Sequence, residues 1–100
     1  MIILYVLESC PYCNNALQVL ADNKIKFKKI VVENTPQEKK KYKLQNKMNT
    51  FPQIFIQIDK NNFIQVGGND DLVTLINQCK LIKASKIPMD PICYMYNLLF

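Results

Sequence analysis

Two cysteines separated by two residues, in the run Ser9-Cys10-Pro11-Tyr12-Cys13, are the part of this chain whose residue types and spacing can do chemistry. They follow an apolar run over residues 2–7 that reads as a buried strand. They precede Asn14-Asn15-Ala16-Leu17-Gln18-Val19-Leu20, whose apolar positions 16, 17 and 20 recur at helical spacing. A cysteine where a strand hands over to a helix meets unpaired backbone N–H groups and the positive end of the helix dipole. Both favour a thiolate, so a lowered pKa is expected there. Pro11 suits the first helical position, where its missing N–H costs nothing. The expected roles are Cys10 as attacking thiolate and Cys13, one turn deeper, as resolving thiol.

Such a pair can also be half of a zinc site or part of a structural disulfide framework. Zinc needs about four ligands, and the chain has no histidine and no second C-x-x-C, so no metal site is expected. Disulfide frameworks belong to small secreted domains, and no secretion signal is visible: the N-terminal apolar run has no basic flank and stops at Glu8. Four cysteines in such a chain point to a reducing, cytoplasmic compartment.

The elements that must position the dithiol follow from pattern. One hundred residues, 49% of them hydrophobic, make one domain with its own core. The expected strands are 2–6, 26–32, 53–58 and 63–66; the expected helices are 11–22, 36–46 and one from about 69 to 82. Thr35-Pro36-Gln37-Glu38 carries a capping-box signature. The helix it opens is unusually polar, with Tyr42 and Leu44 as its apolar anchors. Four residues between the last two strands imply a hairpin, and Asn69 or Asp70 caps the last helix. The order β-α-β-α-β-β-α gives an α/β fold with a four-stranded mixed sheet flanked by helices, the first two strands being parallel through a right-handed crossover. Residues 1–83 form the domain. Residues 84–100 are a C-terminal extension, broken by Pro88 and Pro91, whose apolar end is expected to pack on the domain. No run is long enough to span a membrane. The net charge of +5 comes from thirteen basic residues, all lysine. They lack the aromatic interleaving of RNA-binding surfaces, so a solvated basic face is expected, with neither nucleic acid nor membrane as partner.

Three motifs, Cys10-Pro11-Tyr12-Cys13, Thr50-Phe51-Pro52-Gln53-Ile54-Phe55 and Gly67-Gly68-Asn69-Asp70-Asp71-Leu72, together resemble a dithiol glutaredoxin of the CPYC type, in the thioredoxin fold, over about residues 1–82. The resemblance implies a glutathione-dependent thiol–disulfide oxidoreductase acting on protein disulfides and protein–glutathione mixed disulfides. It needs no bound cofactor, takes glutathione as co-substrate and is expected to be a monomer. Cys10 and Cys13 become the catalytic pair. Tyr12, Lys39, Thr50, Phe51, Pro52, Gly68, Asn69 and Asp70 become the glutathione contacts, with Pro52 in cis facing the dithiol. Lys39 would meet the glycine carboxylate; Gly68, Asn69 and Asp70 would hold the γ-glutamyl end. Sequence statistics alone favour a trans Pro52. Two departures stand out: Leu7 replaces a basic residue common in the family three positions before the first cysteine, and Lys47 replaces the usual glycine before Thr50. The first supports an alternative, a thioredoxin-like donor reduced by a flavoprotein reductase. A glutathione-ligated iron–sulfur carrier and a redox-inert adaptor are the non-enzymatic alternatives. Cys79, on an apolar helical face, is expected to be an inert core residue.

Overall fold

The computed structural model describes residues 1–85. Its elements are β1 (Ile2–Leu7), α1 (Pro11–Asp22), β2 (Phe27–Val32), α2 (Pro36–Asn46), β3 (Gln53–Gln57), β4 (Phe63–Gly67) and α3 (Asn69–Ser85). This is the order read from the sequence. The sheet runs β2-β1-β3-β4. β1 pairs parallel with β2, Ile2 opposite Phe27; β3 lies antiparallel to both β1 and β4. β1 occupies the interior of the sheet, which is why it reads as an unbroken apolar run.

One face of the sheet carries the core. Ile2, Leu4 and Val6 of β1 and Ile54 and Ile56 of β3 pack against Ala16 and Leu20 of α1 and Leu72 and Ile76 of α3. Each such Leu or Ile side chain contributes about 1.5–3 kcal/mol by leaving water. That face fixes α1 and α3, and so fixes where their N-termini stand.

α2 lies across the other face and has no buried residue. Leu44, expected as an anchor, is 69% exposed; it falls on the solvent side of a helix that touches the sheet through Tyr42, whose ring lies 5.4 Å from that of Tyr5. The Thr35 cap forms half of its box. Thr35 Oγ1 accepts the Glu38 N–H at 3.3 Å, but the Thr35 N–H donates to the Glu33 carbonyl at 2.8 Å instead of to Glu38.

The β3–β4 hairpin is closed by Asp59, whose carboxylate accepts from the Asn61 and Asn62 backbone and from the Asn62 side chain. These bonds, the Asn62 side chain first, hold the Asp59 carboxyl below its usual range. The β3–β4 register slips between Ile54 and Phe55. An irregularity of this kind turns a strand out of its ladder, here where β4 leads into α3. α3 itself runs to Ser85, three residues beyond the expected end, so the expected 83/84 boundary falls inside it. The remainder of the 84–100 extension, with Cys93, lies outside the described residues. Among the described residues no helix is long and apolar enough to cross a membrane.

Candidate active site

β1 ends at Leu7, and two residues turn the chain into α1. Ser9 makes that turn with φ 56°, in the left-handed region, which costs an L-residue about 1–2 kcal/mol. Cys10 is the N-cap, with extended φ and ψ, and Pro11 takes the first helical position. The Cys10 sulfur accepts the Cys13 N–H at 3.3 Å, and its carbonyl accepts the Asn14 N–H at 2.9 Å. Cys10 is half-buried and a free thiol. Cys13 is also free but fully enclosed, at 0% exposure. Burial above all, then the hydrogen bond to Cys10, pushes the Cys13 thiol up to about 12. The pair is therefore divided by environment: the sulfur at the helix cap meets solvent, and the sulfur one turn in keeps its proton.

Beside the dithiol lies an open cleft of about 270 Å³, lined by Tyr12, Thr50, Phe51, Pro52, Gly68, Asn69, Asp70 and Asp71. Seven of the eight contacts expected from the sequence thus converge on one concavity. Tyr12 is 65% exposed over it. The Phe51–Pro52 peptide bond is cis, as the family resemblance implied and sequence statistics did not. Lys39, half-buried on α2, is not among the lining residues.

The cleft's walls are held by contacts the sequence reading did not anticipate. Gln53, 0% exposed, accepts from the Asn46 side-chain amide at 2.7 Å and donates to the Met48 carbonyl at 3.3 Å. These bonds tie the end of α2 to the first residue after Pro52 and set the Thr50–Pro52 loop between them. Lys47 adopts the left-handed conformation at the C-cap of α2, φ 54° and ψ 42°, so it takes the backbone shape that glycine favours at that position.

At α3, the expected Asn69 or Asp70 cap gives way to Asp71, whose carboxylate accepts the Gly68 N–H at 2.9 Å. Asp71 is the third residue of the helix, and an acid there reaches back to the cap N–H. The spacing from Gly68 to Asp71 was the signal available in the sequence. Gly67, with φ 124°, has no room for a Cβ because one would meet that same carboxylate. The Asn69 side chain instead accepts from the Asn15 amide at 2.8 Å, linking the second turn of α1 to the first residue of α3. This leaves Asp70 exposed at the cleft, and the N–H groups of the first helical turn without intrahelical acceptors.

Outside this site, Cys79 is 1% exposed in the hydrophobic core, on the apolar side of α3. No cluster of metal-ligating side chains occurs among the described residues.

Comparison with known proteins agrees with this arrangement. The glutaredoxin family model matches residues 2–60. Glutaredoxin 1 of Rickettsia typhi is 40% identical over 84 residues, covering 82% of this chain and 76% of that protein. The solution structure of a Brucella melitensis glutaredoxin superposes with a TM-score of 0.61 at 36% identity, covering 82% and 84% of the two chains. A buckwheat glutaredoxin–glutathione complex, 15% identical with a TM-score of 0.63, shares the fold over 82% of this chain and 73% of that one. The chain belongs to the glutaredoxin family, in the thioredoxin-like fold, and its class of chemistry is thiol–disulfide exchange.

Proposed function

We propose that the protein is a glutathione-dependent oxidoreductase that reduces protein–glutathione mixed disulfides and protein disulfides in a reducing, cytoplasmic compartment. The observation that carries this reading is the cleft beside Cys10, whose lining offers partners to the γ-glutamyl end and the sulfur end of a γ-glutamyl tripeptide. Free N–H groups at the start of α3 suit its α-carboxylate. The exposed Asp70 carboxylate suits its ammonium, a charge-assisted pair. Tyr12 flanks the sulfur end. Lys39 of α2, outside that lining, is assigned to the glycine carboxylate by the family resemblance alone.

In the single-cysteine route the Cys10 thiolate attacks the glutathione sulfur of a mixed disulfide. The protein thiolate leaves and takes a proton, and Cys10 carries glutathione. A second glutathione thiolate attacks that sulfur, oxidised glutathione departs and Cys10 is regenerated. In the two-cysteine route Cys10 attacks a protein disulfide and Cys13 attacks the resulting mixed disulfide at Cys10. Its proton passes to the departing protein thiolate, and two glutathiones then reduce the Cys10–Cys13 bond. Cys13 is held protonated partly through its hydrogen bond and charge coupling to Cys10. Both contributions lapse once Cys10 is in a disulfide, so the resolving thiol becomes easier to ionise when it is needed.

Mass spectrometry after incubating the Cys13→Ser variant with oxidised glutathione tests the reading. One glutathione is expected on Cys10, forming about tenfold more slowly when Asp70→Ala is added, the loss of one charge-assisted contact. Failure of Cys10 to take up glutathione would contradict it.

A further inference from the structure

Charge is segregated in this molecule. Residues 24–47 hold nine lysines and two acids; the rest of residues 1–85 hold three lysines, Lys60, Lys80 and Lys83, and five acids. The nine lysines occupy β2, the turn before it, and α2 with its C-cap Lys47; β2 and α2 are neighbours in the fold. Lys24, Lys26, Lys28, Lys29, Lys40, Lys41 and Lys47 are exposed. Among the described residues none of the nine is in an ion pair; Lys41 lies 5.3 Å from the Tyr42 ring centroid. A field of this size is not neutralised within the domain, and it is close to the chemistry. β2 is an edge strand, and Lys29 and Val31 share a groove with Leu7, Glu8 and Ser9, the residues that run into Cys10. At the other end, α2 leads through Met48 to the Thr50–Pro52 wall of the cleft.

We propose that the lysine-rich edge formed by β2 and α2, with Lys28 on the α2 side of the sheet and Lys29 on the α1 side, is the docking surface for the protein substrate, and that this substrate is acidic around its reactive cysteine. The proposal rests on the thiol–disulfide reading above and names the substrate class for the same site. Opposite charge lining the approach to a reactive centre raises encounter rates by about 10–1000-fold at low ionic strength. Nucleic acid fits the face less well. Every cation here is a lysine, and the chain has no arginine to offer the planar, bidentate fork that suits phosphates and base edges.

The test uses two glutathionylated peptides that differ only in whether acids or lysines flank the cysteine. It compares their kcat/KM for the wild type, for Lys26→Glu/Lys28→Glu/Lys29→Glu and for Lys40→Glu/Lys41→Glu. Two separate variants guard against one failing to fold, and Lys60→Glu controls for charge outside the face. The acidic peptide is expected to be preferred about tenfold by the wild type at low salt. The preference should collapse toward one in either patch variant and as salt screens the field, and survive in Lys60→Glu. A wild-type ratio near one, or a ratio unchanged in both patch variants, overturns the proposal. So does a ratio of one accompanied by patch-dependent binding of a single-stranded RNA, which would assign the face to nucleic acid. Turnover of a small glutathione mixed disulfide is read in parallel. If it persists while the peptide ratio is one, only the docking proposal falls; if the wild type lacks it, the glutathione reading falls and takes the docking proposal with it.

Discussion

The enclosure of Cys13 predicts an alkaline instability that one substitution removes. The folded thiol is pushed up to about 12 from an ordinary value of 9.0. Between those values the unfolded chain releases a proton that the folded chain keeps, so the unfolded state binds fewer protons and stability falls as pH rises. The contribution is intact below about pH 9 and is lost progressively up to the folded value. Over about pH 8 to about pH 10.5, this one group should cost about 2 kcal/mol of stability. Cys13→Ala leaves a cavity whose cost does not depend on pH, whereas the titration disappears with the thiol. Urea unfolding of the reduced wild type and of Cys13→Ala, measured across that range, should show the wild type more stable at the lower end and the gap closing by about 2 kcal/mol at the upper end. Tyr5, which burial and the nearby Tyr42 push upward, titrates in both proteins and cancels in the difference. A gap that stays constant or widens with pH would refute the assignment of Cys13 as the buried, protonated partner.

Gln53→Ala strands the Met48 carbonyl and the Asn46 amide; a loss of about 1–3 kcal/mol is expected in thermal unfolding, with a raised KM for glutathionylated substrates as the Thr50–Pro52 wall loosens. Lys47→Gly should stabilise by about 1 kcal/mol, since Lys47 is held in the left-handed region, and the melting temperature should rise by about 4–8 °C. Asn15→Ala removes the link between α1 and α3; unfolding should show a small cost, about 1 kcal/mol or less, with the Cys10 alkylation rate unchanged, because Asn15 supports the cleft and not the nucleophile.

Most of the architecture was legible because the patterns are local. The apolar runs of β1 and β3, the Thr35-Pro36 start and the Asp59–Asn62 turn each announce an element, and connection rules then leave few topologies. The exposed, polar character of α2 could be read from its lysines. Leu44 misled because its residue type says nothing of which side of a weakly docked helix it occupies. The Asp71 cap escaped because its role depends on α3 starting one residue after Gly68, a finer boundary than periodicity gives. Gln53 read as an ordinary polar strand residue; its burial is decided by α2 and the loop arriving above it, which is tertiary information. The cis bond at Pro52 came only through family resemblance, since proline by itself favours trans.

The most direct test of the account is turnover of a small glutathione mixed disulfide, with glutathione and a reductase to recycle it, by the wild type, Cys10→Ser and Cys13→Ser. Activity is expected in the wild type, none in Cys10→Ser and retained activity in Cys13→Ser, because the single-cysteine route needs only the sulfur at the helix cap. An inactive wild type, or a Cys10→Ser variant that still turns over, would contradict it.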